Sequence, residues 1–264
     1  MLTAVRPIDG NFWQWAYFLF VKYWPLFYNG IKFTLLIALS GTIFGLLIGL
    51  FVGGLRATKV NNTDTFLVKW QKKLIHLTSS IYIEVFRGTP MMVQAVFIYY
   101  SLKPLLLWSP LVAGIVIVAI NTGAYMAEIV RAGIQSVPLG QSEAAMSLGM
   151  NSGQALLNII LPQAIRNAFP AIGNEFVVNL KDSSVLNVIS VTEIYFQTAS
   201  VAGTFYKTQE AFFVAALVYF VLTFSTTRVL TYIEKKLETT TKTWGSQTVP
   251  AAVFVQGGDH PSWR

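Results

Sequence analysis

Cysteine is absent from the 264 residues, which excludes disulfides and thiolate metal sites. Histidine is almost absent. His76 and His260 lie far apart and in no ligand-spaced motif, so no metal site is expected. Charge is scarce as well: Asp, Glu, Lys and Arg make up 12% of the chain and hydrophobic residues 54%. Soluble domains carry about 25% charged residues, so the solvent of this chain is read as lipid. No G-x-x-x-x-G-K-[ST] phosphate loop, G-x-S-x-G elbow or H-E-x-x-H pair occurs. The chain is therefore expected to be no enzyme and to hold no cofactor of its own. Its energy must come from a partner or from an ion gradient. The start lacks a signal-peptide pattern, because Asp9 and a Trp/Tyr/Phe-rich stretch replace the charged start and small-residue cleavage site.

The net charge of +7 would suggest nucleic acid in a soluble protein. Here the basic residues gather in the segments between apolar runs, so they read as topology and as contact with membrane lipid, not nucleic acid. A crossing needs about 20 mostly apolar residues. Phe33–Leu55 is uncharged, and Gly41, Gly45, Gly49 and Gly53 recur in it at every fourth position. Four glycines on one helix face predict a close helix–helix seam. Residues 12–28 are aromatic throughout and predict a helix lying at the membrane interface. Residues 56–73 read as a basic loop. Further spans are expected over about 75–102, about 105–131, from near Ile165, and over 211–233. The tail 238–264 reads as flexible. With the N-terminus outside, thirteen of the nineteen Lys and Arg residues fall inside. The expectation is thus an all-α, five-span bundle, N-out and C-in, with an extracytoplasmic segment 1–28, a transmembrane domain 29–237 and a cytoplasmic tail.

Ionisable groups within spans are expensive and mark candidate sites. Glu84 and Arg87, three apart, are expected to pair on one helix face, with Pro90 bending the helix beyond them. Asn121, Tyr125 and Glu128 share one face at i, i+4, i+7, and Glu175, Asn179 and Asp182 share another. Asn121, Tyr125, Glu175, Asn179 and Asp182 are the expected substrate path, the two acids suiting an ammonium or guanidinium group. Glu128 and Arg131 are expected to form a structural ion pair. The competing reading is interhelical hydrogen bonding that merely holds the bundle together.

Between these faces lies EAAMSLGMNSGQALLNIILP, residues 143–162. Its small residues, glycine break and proline make poor spanning material but a good helix–turn–helix against another surface. Ser142 is expected to cap a helix starting at Glu143, Ala144 and Ala145 to leave a low-relief docking face, Gly149 to turn the chain, and Asn151 or Ser152 to cap the next helix. The spacing Glu143-Ala144-Ala145, Gly149, Ile159, Leu161-Pro162 resembles the EAA loop of ABC importer permeases. IEVFRGTPMMVQ, residues 83–94, resembles the signature of their polar amino-acid subfamily, the histidine, glutamine and arginine uptake type. The likeness covers about residues 27–235. It implies the type I importer permease fold in a bacterial inner membrane. It implies coupling to ATP-binding subunits, which carry the ATP and Mg, through Glu143, Ala144, Ala145 and Gly149. It also implies a second permease copy or sister permease, and an extracytoplasmic amino-acid-binding protein. The rival readings are a gradient-driven secondary transporter or channel, for which no inverted repeat is found, and a membrane scaffold.

Overall fold

The computed structural model describes residues 6, 7, 9–57 and 65–245, with side chains through 237. Among them only helices form: α1 Phe12–Lys22, α2 Trp24–Ala57, α3 Phe66–Gly88, α4 Met91–Leu106, α5 Pro110–Gln135, α6 Leu139–Ser147, α7 Ser152–Ala155, α8 Leu161–Asp182, α9 Ile194–Phe205 and α10 Thr208–Gly245. A π-turn, Leu156–Ile160, joins α7 to α8, and a 3₁₀ stretch, Ser183–Ile189, follows α8.

The glycine period builds the centre. Cβ atoms placed on Gly41, Gly45 and Gly49 would meet side-chain atoms of Val118, Thr122 and Met126 at 2.4, 2.7 and 2.4 Å. One on Gly53 would lie 2.9 Å from the Ala127 carbonyl oxygen. The glycines of α2 thus face a matching every-fourth-residue row on α5, and the two backbones approach as closely as side chains permit. Ser109 caps α5, its hydroxyl accepting from the Val112 amide at 3.3 Å, with Pro110 in the first turn, where its missing N–H costs nothing.

The 75–102 stretch is broken more sharply than a simple bend at Pro90. It divides into α3 and α4, which meet at 111°. Pro90 supplies no N–H and drives Thr89 to an extended conformation, φ −119°, ψ 145°. Gln94 then donates to the freed Phe86 and Thr89 carbonyls at 2.9 and 3.0 Å. Among the described residues three helices are long and apolar enough to cross a membrane, Trp24–Arg56, Pro110–Gln135 and Thr208–Leu237, and the bent pair makes a fourth if it counts as one span. The five-span expectation therefore rests on α8, the most polar of the long helices, which carries Pro170.

Other boundaries also move. α3 starts at Phe66, so Lys69, Lys72 and Lys73 are helical and not in a loop. Residues 58–64 lie outside the described residues. The aromatic stretch 12–28 divides between α1 and the first turn of α2. α1 packs Trp15, Phe18 and Leu19 against Val201, Ala202 and Ala211 of α9 and α10, while Trp13 and Tyr17 stay exposed. α10 continues as helix to Gly245, beyond the expected start of the tail. Residues 246–264 lie outside the described residues. Large apolar side chains remain exposed along the outer faces of α2, α3 and α10, as lipid contact requires.

Candidate functional site

The broken corner between α3 and α4 opens onto a cavity of about 500 Å³. Arg87, Gly88, Thr89, Pro90 and Met91 line one wall, Asn121 and Tyr125 of α5 the second, and Glu175, Val178 and Asp182 of α8 the third. Met91 also packs against a dry cluster that includes Ile37, Tyr99, Ile117, Leu186 and Ile189, so the cavity is closed at that end by core.

Four of the five expected path residues meet here: Asn121, Tyr125, Glu175 and Asp182. Asn179 does not. It is 3% exposed and bonded across helices, accepting from the Thr122 hydroxyl at 3.0 Å and donating to the Thr42 hydroxyl at 2.9 Å. The bonding alternative therefore describes Asn179, whose side chain ties α8 to α5 and α2 beside the glycine seam. Replacing it with leucine is expected to lower thermal stability by about 1 kcal/mol, the worth of interhelical bonds of this kind. The apparent affinity for substrate should stay unchanged in an uptake assay. A large rise in KM would return Asn179 to the path. Asn121 has both roles. It lines the cavity while its amide donates to the Gln94 side-chain oxygen at 2.9 Å and the Phe86 carbonyl at 3.2 Å, bracing the corner.

Glu84 and Arg87 form no ion pair. α3 ends one residue beyond Arg87, which frees that side chain to turn inward, and its guanidinium lies over the Tyr125 ring at 5.4 Å. Arg87 is the only cation among the described residues lining this cavity, where it shares the space with the Glu175 and Asp182 carboxylates. Sequence reasoning assigned Arg87 to a structural pair. The signal that relocates it is the Gly-Thr-Pro that follows, which ends the helix. Glu128 accepts from Arg131 at 2.5 Å and from Arg56 of α2 at 2.6 Å, and Arg56 also donates to the Ser80 hydroxyl at 3.3 Å. The resulting cluster ties the end of α2 to α3 and α5. Arg56 was read as loop. Glu193, wholly buried and also missed, caps α9: its carboxylate accepts from the Tyr195 and Phe196 amides at 2.9 and 2.8 Å and from the Tyr219 hydroxyl at 2.7 Å.

The segment between α5 and α8 is a helical hairpin. α6 starts at Leu139 after Pro138, so Ser142 is not its cap and Glu143 lies mid-helix. Gly149 turns the chain at φ +86°, a region that favours glycine. Asn151 caps α7 in a reciprocal box with Gln154, at 2.9 and 3.0 Å. Glu143, Ala144 and Gly149 are exposed. Ala145 is not part of that outer surface, being 4% exposed and turned into the hairpin. The exposed face also carries Leu139 and Leu148, 75% and 82% exposed, which composition alone did not single out. Such apolar tips on a polar hairpin suit a protein partner.

Among the described residues no cluster of metal-ligating side chains occurs. A family described as the inner membrane component of binding-protein-dependent transport systems matches residues 45–239. The glutamine transport system permease protein GlnP of Escherichia coli (strain K12) is 35% identical over 81% of this chain and 92% of its own length. The arginine transport system permease protein ArtQ of Bacillus subtilis (strain 168) is 32% identical over 81% of this chain and 93% of its own. A crystal structure of an amino acid ABC transporter with histidines aligns with a TM-score of 0.73 at 37% identity, covering 87% of this chain and all of that one.

Proposed function

Because this chain belongs to the inner membrane components of binding-protein-dependent transport systems, we propose that it is the permease of an ATP-driven importer of a polar or basic amino acid. Arg87, Tyr125, Glu175 and Asp182 form its substrate site. The observation that carries this reading is the charge pattern of the cavity, one guanidinium and two carboxylates around about 500 Å³. An amino acid presents one carboxylate and one ammonium, which Arg87 and one acid complement. The second acid remains for a cationic side chain. Charged groups are tolerated at such depth only where they face one another or water.

Two copies of the permease pair in the inner membrane, N-out and C-in. Each exposes the α6–α7 hairpin to a cytoplasmic ATP-binding subunit, which carries the nucleotide and Mg. An extracytoplasmic binding protein delivers substrate on the other side. Closure of the ATP-binding subunits moves the hairpins through Glu143, Ala144 and Gly149, and α5 and α8, which flank the hairpin and line the cavity, move with them. This chain contributes the path and the coupling; ATP hydrolysis belongs to the partner.

Neutralising both acids, Glu175→Gln with Asp182→Asn, tests the site. In proteoliposomes with binding protein and ATP-binding subunits, uptake of a basic amino acid is expected to fall about tenfold or more beyond that of a neutral one. Loss of one charged hydrogen bond is worth about 1.5–3 kcal/mol. Equal losses for both substrates would overturn charge selection at Glu175 and Asp182.

A further inference from the structure

Glu84 is exposed on α3, and its side chain makes no hydrogen bond or ion pair among the described residues. Arg87, one turn on, has turned into the cavity. The surface around Glu84 is apolar: Leu77, Ile81 and Val85 are each at least half exposed. Its depth follows from its neighbours. The Tyr82 hydroxyl donates to the Ile120 carbonyl at 2.6 Å, and Ile83 packs against Ala124 and Ala127. Glu84 therefore stands level with the middle of α5, away from either end of that span.

A second lone charge lies at the same level. Arg228 is exposed on α10, its guanidinium stacked on Phe224 at 4.8 Å, with no carboxylate partner among the described residues. Leu230, half a turn further along α10, lies against Gly173 of α8, and the adjacent Ile172 packs on Met126 of α5. Arg228 and Glu84 thus share a depth to within about one helical turn, about 5.4 Å. No ion pair joins them within the chain. A charge facing hydrocarbon alone is costly, and each of these is expected to find a partner. Two unpaired charges of opposite sign, at one depth, on otherwise apolar faces, are complementary to each other across a two-fold axis.

We infer that Glu84 and Arg228 form an intersubunit ion pair through which a second copy of this chain covers the α3 and α10 faces. In such an isologous contact Glu84 meets the partner's Arg228, and Arg228 meets the partner's Glu84, so one pair is made twice. The pair fixes register and favours self-pairing over a sister subunit that lacks the complementary charges. The inference rests on the proposal that two permeases pair, and goes beyond it by naming the residues that meet.

Charge reversal gives the test. Full-length chains with two different tags are co-expressed without ATP-binding subunits, and co-purification through one tag is read on the other. Wild-type copies are expected to pair. Glu84→Arg copies should pair with each other about tenfold or more weakly, because each contact sets guanidinium against guanidinium, and Arg228→Glu copies should fail likewise. A Glu84→Arg copy mixed with an Arg228→Glu copy has both contacts restored and should recover pairing to within about twofold. Thermal unfolding of each purified variant separates lost pairing from lost fold. Because the chain has no cysteine, a Glu84→Cys copy and an Arg228→Cys copy treated with a bifunctional thiol reagent in membranes give a second readout. A covalent dimer bearing both tags is expected. Wild-type copies that do not pair would overturn the pairing proposal and this inference together. Wild-type pairing with self-pairing variants, or with no rescue in the mixture, would overturn this inference alone and leave the charges to lipid.

Discussion

Gly49→Val is expected to abolish accumulation of folded permease. A Cβ at Gly49 would sit 2.4 Å from the Met126 Cβ, 2.7 Å from its backbone carbonyl carbon and 2.9 Å from the Ala127 nitrogen. Two of these three atoms belong to backbone and cannot rotate away. α2 would have to lift from α5 along the whole seam, because the same row also places Gly41, Gly45 and Gly53 in contacts that leave no room for a Cβ. Overpacking costs about 1–3 kcal/mol where side chains can yield and more where they cannot. In a membrane, helix association relies on this packing, since lipid offers no hydrophobic drive between helices. The neighbouring Gly54 supplies the control, because nothing lies within 4 Å of the position its Cβ would take. Gly54→Ala should therefore be accepted, with a small gain in helix propensity. Size-exclusion profiles of the detergent-extracted variants would show this: a monodisperse peak for Gly54→Ala and none for Gly49→Val. A monodisperse Gly49→Val protein of normal thermal stability would contradict the seam.

The glycine seam was legible because a four-residue period is a property of the chain itself, and α5 answers it with its own row. The family resemblance was legible for the same reason, since the EAA spacing is local. The α3–α4 break was foreseen only as a bend at Pro90. How far the chain turns depends on Gln94 and Asn121 capturing the freed carbonyls, and Asn121 is distant in sequence. Asn179 shows the limit of a helical stripe. It sits about 40° from Glu175 around α8, a difference a face-sharing argument does not separate, yet that rotation points it at Thr42 and Thr122 and away from the cavity. Arg87 and Glu84 were paired by their spacing, which holds inside a helix but not where the helix ends one residue later. The Arg56–Glu128 contact spans 72 residues, and no local pattern announces it. The Ser142 cap failed in a similar way, while the Asn151 cap held: Pro138 starts α6 four residues earlier than the Ser142–Glu143 pattern suggests, and that shift turns Ala145 inward.

Glu143→Lys is expected to abolish ATP-driven uptake while leaving the permease folded and inserted. The side chain is exposed at the middle of α6 and makes no hydrogen bond or ion pair among the described residues, so reversal removes no internal contact. Exposed substitutions of this kind cost within about 0.5 kcal/mol. The hairpin beneath it is held independently, by buried Ala145, by the Gly149 turn and by the Asn151–Gln154 cap, so its shape should survive. Only the charge offered to the docking partner changes. A like charge set against a docking site costs several kcal/mol, enough to lower coupled transport about 100-fold. Substrate-stimulated ATP hydrolysis and uptake should fall together in proteoliposomes, while membrane yield and thermal stability stay at wild-type values. A transporter driven by an ion gradient would respond differently, because its energy enters through the cavity and not through the hairpin. There, Glu143→Lys would leave uptake unchanged, and Glu175 and Asp182, the acids within the span, would become the coupling groups. The two energy sources therefore predict opposite outcomes at Glu143, in the hairpin that joins α5 to α8, and one uptake assay on Glu143→Lys separates them.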